Sequence, residues 1–302
     1  MLIINDKERR RSMRLLIFVV VLLIVLAFPA YFWMKDNNHY LAQRSKAQMS
    51  PIIMIPGSSA TKNRFDEMVT LLNKDTSHKH SLLKLEVYNS GKITYTGKIS
   101  SGDNEPIIVV GFQNNHDGYD NIKKQAKMFD EAFNELIDQY KFNNFKAFGH
   151  SNGGLIWTLW LEKYYSDYSD YVKIKRLMTV GSPFNLNESS TSNPTQMYTY
   201  FLKHRDQLPS SLDVYSVSGA DTYTEDGIVK LGSVRAGRYI YQKQVKHYTE
   251  MTVTGSKAQH SSLPQNRQII NLIEEYLLDS DQPNAVNSKN KRISHSSSVS
   301  NP

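Results

Sequence analysis

Apolar residues in this chain fall into short unbroken runs separated by amphipathic stretches, the pattern of buried parallel strands alternating with helices. Ile52-Ile53-Met54-Ile55 is the first such run of the body. Phe65, Met68, Val69 and Leu72 follow at helical spacing, after an Asn63 placed to cap a helix. Leu82–Tyr88 and Lys92–Tyr95 flank the turn signal Asn89-Ser90-Gly91 and predict a hairpin or a pair of edge strands. Pro106–Gly111 is again all apolar. From Ile122 to Tyr140 the residues Ile122, Ala126, Phe129, Phe133, Leu136 and Ile137 line one helical face, and lysines and acids line the other. Phe145–Phe148, Ile174–Val180, Val214–Ser218 and Tyr248–Thr254 complete the strand patterns, with helical stretches at Leu155–Leu161 and Ile269–Leu277. Strand, helix, strand in repeated order predicts an α/β domain over residues 50–280, with a mostly parallel central sheet flanked by helices and right-handed crossovers.

Two regions break the alternation. Residues 187–211 turn polar, with Met197, Tyr198, Tyr200, Phe201 and Leu202 clustered inside them, and read either as a lid over a pocket or as a surface helix between loops. At the other extreme, residues 15–33 run without a charge and as a helix would span about 28 Å, close to the hydrocarbon thickness of a bilayer. The expected organisation is a basic cytoplasmic segment over 1–14, a transmembrane helix or signal anchor over 15–34 with Tyr31 and Trp33 at the far interface, and a polar stalk over 35–49. A signal peptide cleaved after Val25-x-Ala27 is the alternative, disfavoured because the apolar run outlasts a usual signal core. Residues 281–302, rich in Ser and Asn, are expected to be disordered.

Composition narrows this picture. The 302 residues suffice for one substantial core, and the absence of cysteine excludes disulfides and thiolate metal sites. The net charge of +7 sits mainly at the ends: residues 1–14 hold five basic against two acidic groups, and 282–302 hold three basic and no acidic ones. The body is left with +1, so no basic face for nucleic acid is expected.

The chemistry centres on Gly149-His150-Ser151-Asn152-Gly153-Gly154, placed where a strand turns into a helix. A Gly-x-Ser-x-Gly turn of this kind holds the serine on a strained backbone and keeps side chains away from the neighbouring strand and helix, so Ser151 is the candidate nucleophile. His150 is expected to point away from that hydroxyl and to pack or line the site. The loop Pro56-Gly57-Ser58-Ser59 after the first strand would supply one oxyanion donor, the Ser58 N–H, with the Asn152 N–H as the other. Asp226, before a glycine and an anchoring apolar pair, is the candidate triad acid, with Asp221 the runner-up; His260, in the loop before the last helix, is the candidate base. Ser151, Asp226, His260 is the chain order of the α/β hydrolases.

GHSNGG with the following LEKY, then GSPFN, EDGIV and AQHSSLPQN, in that order over residues 50–280, resembles a family of α/β hydrolases from Gram-positive bacteria whose members are labelled cell-surface hydrolases and whose domain is formally of unknown function. The resemblance implies a lipase- or esterase-like α/β-hydrolase fold, and an Asp-Gly aspartate and a His-Ser histidine completing the triad. The chain departs from the family at Pro56, where His is typical, and at Asn152, where Met is more usual. The expectation is a membrane-anchored, extracytoplasmic serine hydrolase acting on a small-molecule or lipid acyl ester, with no cofactor and no metal in the chemistry. The competing class is a non-catalytic surface protein that keeps the scaffold to bind a cell-wall component or a protein partner. Peptidase or acyltransferase chemistry on the same three residues is a third reading.

Overall fold

The computed structural model describes residues 11, 13–29, 31, 46–74 and 78–278. Its backbone contacts divide the chain into two units, Met1–Ala47 and Gln48–Pro302. In the first, residues 13–29 form helix α1, on which Leu15–Leu26 and Phe28 are exposed. Among the described residues no helix is long and apolar enough to cross a membrane. Most of the basic segment 1–14 and of the stalk 35–49, the far end of the expected 15–34 span, and the tail from 281 onward lie outside the described residues.

The second unit is built on eight strands: β1 (Ile52–Ile55), β2 (Leu82–Val87), β3 (Ile93–Gly97), β4 (Ile107–Phe112), β5 (Asn144–His150), β6 (Lys173–Val180), β7 (Asp213–Ala220) and β8 (His247–Thr254). They form one sheet in the order β3-β2-β4-β1-β5-β6-β7-β8. Only the β2–β3 pair is antiparallel. The pair read from Leu82–Tyr88 and Lys92–Tyr95 is therefore an edge hairpin.

The apolar runs are continuous because both faces of the sheet are covered. On β1, Ile53 and Ile55 join one core with residues of α3 (Tyr119–Tyr140), α4 (Asn152–Lys163), α5 (Gln196–His204) and, beyond the short α6 (Leu231–Arg235), α7 (Gly237–Tyr241). Ile52 and Met54 join the other with α2 (Asp66–Leu72) and α8 (Arg267–Tyr276). Period-two alternation thus sends neighbouring side chains into different layers. Asn63 does not cap α2: its side-chain oxygen accepts from Lys84, and the helix begins after Phe65 without a side-chain cap. The polar stretch 187–211 contains α5, whose Met197, Tyr198 and Phe201 are buried in the first core.

Helix α4 is deeply set, with every residue from Asn152 to Glu162 buried. Trp157 and Trp160 interlock edge-to-face with Phe129 of α3, at ring-centre distances of 4.6 and 5.2 Å. Full burial of such a ring contributes on the order of 2–3 kcal/mol. Their polar edges are matched: Trp157 Nε1 donates to the Phe148 carbonyl at 3.1 Å, and Trp160 Nε1 to Asp130 Oδ1 at 2.9 Å.

At the end of α4, Glu162 is buried, and among the described residues neither carboxylate oxygen has a hydrogen-bond partner. Burial, with Asp206 adding repulsion, pushes its carboxyl up to about 9, so it is neutral in the folded protein at pH 7. An unfolded glutamate ionises near 4.5, and between these values the folded state holds a proton that the unfolded state has released. Stability is therefore greatest below the unfolded value and falls by about 1.4 kcal/mol per pH unit until the folded carboxyl itself ionises. Glu162→Gln removes this slope. The stability advantage of the variant over the natural chain, measured by urea unfolding, should grow between pH 6 and pH 8.5; a constant difference would mean that Glu162 is ionised in the fold.

Candidate active site

Neighbouring β1 and β5 send their connections to opposite faces of the sheet, β1 to α2 and β5 to α4, which opens a crevice at their carboxyl ends. Ser151 lies in that crevice, between the end of β5 and the start of α4. Its backbone has φ 55° and ψ −125°, a conformation costly for any residue with a side chain. Two groups hold it there. The Ser151 N–H donates to the Val180 carbonyl at 2.8 Å, and the buried α4 fixes the direction in which the chain must leave.

Side-chain-free neighbours make the turn sterically feasible. A Cβ on Gly149 would lie 2.5 Å from the Gly154 nitrogen, and one on Gly153 would run into the Ile55 carbonyl oxygen. The loop after β1 approaches as closely: a Cβ on Gly57 would sit 2.6 Å from Ser151 Cβ and 3.2 Å from its Oγ. The Pro56-Gly57-Ser58 loop therefore lies directly against the serine hydroxyl, although Pro56 replaces the histidine of the resembling family.

His260 and Asp226 reach the same point from the ends of β8 and β7. His260 Nε2 is 3.0 Å from Ser151 Oγ, and His260 Nδ1 is 2.7 Å from Asp226 Oδ2. With Nδ1–H donating to the carboxylate, Nε2 offers its lone pair to the hydroxyl, the tautomer that this network selects. Asp226 is itself pinned, its Oδ1 accepting the N–H groups of Ile228 at 3.2 Å and Val229 at 2.7 Å. The His260 N–H donates to the Asp226 carbonyl at 2.8 Å, so the two loops are also joined through their backbones. All three side chains are buried. Asp221, the alternative acid, is exposed just beyond β7, and no hydrogen bond joins it to His260.

The expected oxyanion donors are the Ser58 and Asn152 N–H groups. The Ser59 N–H is engaged with the Asn115 carbonyl at 2.7 Å, whereas among the described residues the Ser58 and Asn152 N–H groups have no partner. Asn152 opens α4, where N–H groups lack intrahelical acceptors and negative charge is favoured. Its side chain donates to Asp117 Oδ1 at 2.7 Å, which ties the elbow to the loop after β4.

Three further residues contact the site: His150, expected there from its place in the elbow, and Arg64 and Asp117, which spacing along the chain does not mark. His150 packs its ring 4.9 Å from that of His260, donating from Nε2 to the His260 carbonyl at 3.1 Å. Burial, reinforced by the His260 and Arg64 charges, holds His150 well below its ordinary pKa, so a neutral ring supports the His260 loop. Arg64 Nη2 donates to the Ser261 carbonyl at 2.6 Å and braces the same loop. Asp117 is the third, through Asn152. These partners lie 110, 197 and 35 residues apart, and no motif registers such separations.

A family model described as alpha/beta hydrolase of unknown function (DUF915) matches residues 39–280. A candidate cell surface hydrolase from Lactobacillus plantarum WCFS1, of known crystal structure, is 53% identical, with a TM-score of 0.72 over 81% of this chain and 98% of that one. A Listeria innocua gene product of known structure is 28% identical, with a TM-score of 0.68 over 77% of this chain and 96% of that one. No curated protein matches.

The close approaches at the elbow give a direct test. Gly153→Ala must displace backbone and should cost about 3 kcal/mol or more in stability. Gly102→Ala, where φ is +84° but nothing lies within 4 Å, should cost only about 1 kcal/mol. Equal costs in denaturant unfolding would mean that the turn is looser than described.

Proposed function

This chain belongs to a family of alpha/beta hydrolases of unknown function, and from that premise we propose that it is a serine hydrolase cleaving an ester or related acyl bond. The observation that carries the reading is the unbroken hydrogen-bond chain Ser151–His260–Asp226 beside two unpartnered N–H groups. His260 removes the Ser151 proton as Oγ bonds to the acyl carbon, and Asp226 holds and stabilises the imidazolium. The Ser58 and Asn152 N–H groups receive the developing oxyanion. His260 then passes its proton to the departing alkoxide as the carbon–oxygen bond breaks. Water, deprotonated by the same imidazole, releases the acyl group from Ser151. No step calls for a cofactor.

A scaffold that only binds a cell-wall component or a protein partner would have no use for a histidine lone pair aimed at a strained serine. The departure at Pro56, the strongest sequence argument for that alternative, leaves the Ser58 N–H in place. Ser151→Ala should therefore lower turnover of short acyl esters by roughly 10⁴- to 10⁶-fold and abolish labelling by a fluorophosphonate, with unfolding unchanged. Asp226→Asn should lower turnover by roughly 10⁴-fold and Asp221→Asn hardly at all. Near-normal turnover in Ser151→Ala would remove the serine from the mechanism.

We further propose that the N-terminal segment holds the domain at the outer face of the cell membrane. The uncharged run 15–33, the basic residues before it and the surface location named for the Lactobacillus relative support this. After cell disruption the full chain should sediment with membranes and require detergent for release, and a chain starting at residue 45 should not. Release of the full chain by salt alone would rule out a spanning anchor.

A further inference from the structure

We infer that His78, His80 and Asp103 form a binding site for one divalent transition-metal ion, zinc by preference, that braces the sheet at the edge opposite the serine. Among the described residues these three are the only group of histidine and acidic side chains whose ligand atoms converge, all lying within 4.8 Å of one another. They come from two separate segments, the lead-in to β2 and the turn before β4. β2 and β4 are parallel neighbours, so these segments meet at the amino edge of the sheet, whereas the Ser151, Asp226 and His260 loops follow strand carboxyl ends.

The surroundings prepare each ligand. His80 Nδ1 lies 2.8 Å from the Glu105 carbonyl; donating to that oxygen fixes the tautomer and leaves Nε2 as a lone pair, the backbone support commonly found behind a metal-bound imidazole. The Asp103 carboxylate accepts the N–H of Ser81 at 2.6 Å and that of Glu105 at 2.9 Å, which orients it and leaves it room for a further partner. His78 Nε2 already approaches Asp103 Oδ1 at 3.3 Å, close to the spacing between two ligand atoms of one tetrahedral ion. The neighbouring Glu105 carboxylate is matched by the buried Lys146 ammonium and adds no ligand.

The donor set selects the ion. Two imidazoles and one carboxylate suit zinc, copper or nickel and suit calcium or magnesium poorly, since those demand oxygen. Asp103 and His80 are buried and His78 is 46% exposed, so the fourth position faces solvent and would hold water. An ion there joins residues 78–80 to residue 103 and closes the β2–β3 hairpin at its base. Its effect is on the stability of that edge, and ester turnover at the other edge should not depend on it.

The test is calorimetric titration of the untagged, chelator-treated full chain with zinc chloride, with thermal unfolding in parallel. About one zinc should bind per chain, and at zinc well above the dissociation constant Tm should rise by about 5 °C or more. His78→Ala, an exposed position that leaves the fold intact, and Asp103→Asn, which keeps an acceptor for the backbone, should each weaken binding at least tenfold. Calcium chloride should give neither heat nor a Tm rise. Absence of a zinc signal, zinc binding unchanged in both variants, or calcium binding in place of zinc would each overturn the inference.

Discussion

The strained backbone at Ser151 is the constraint from which the rest of the domain follows. A residue with a side chain persists at φ 55° and ψ −125° only where its neighbours over-determine it. Here β5 is clamped between β1 and β6, and α4 is sunk into an aromatic layer with Trp157 and Trp160 hydrogen-bonded at their edges. The energy that sets the serine comes from the packing of that layer. Missing side chains at Gly149 and Gly153 only permit the geometry that packing enforces.

Around this fixed point the other groups are held by backbone more than by side-chain contacts. Asp226 receives two backbone N–H groups, His260 is tied to Asp226 through main chain and side chain alike, and the His260 loop is hydrogen-bonded by both His150 and Arg64. The ring of His150, held neutral, places no positive charge against the His260 imidazole. These bonds fix Ser151, His260 and Asp226 relative to one another.

The two edges of the sheet divide the labour. Parallel strands deliver the elbow, the acid loop, the base loop and the β1 loop to one edge, and leave the strand lead-ins at the other. That second edge carries its own polar cluster, His78, His80 and Asp103, whose backbone bonds give it an order that a merely solvated surface would lack.

Much of this was legible in the sequence for local reasons. Unbroken apolar runs mark strands covered on both faces, a glycine–serine turn between a strand and a helix marks the elbow, and the chain order of serine, aspartate and histidine points to the fold. Asp226 carries a local cue that Asp221 lacks, since the N–H groups of the apolar pair Ile228–Val229 that follows it close on its carboxylate. The capping role given to Asn63 had no such support, because Lys84, 21 residues away, takes its side-chain oxygen. Likewise nothing in the spacing marks His150, Arg64 and Asp117 as braces, or sets His78 and His80 beside Asp103. A sequence records which residues are near one another along the chain; contacts across 20 to 200 residues are fixed by strand order and by which face each crossover takes, and only the folded sheet decides those.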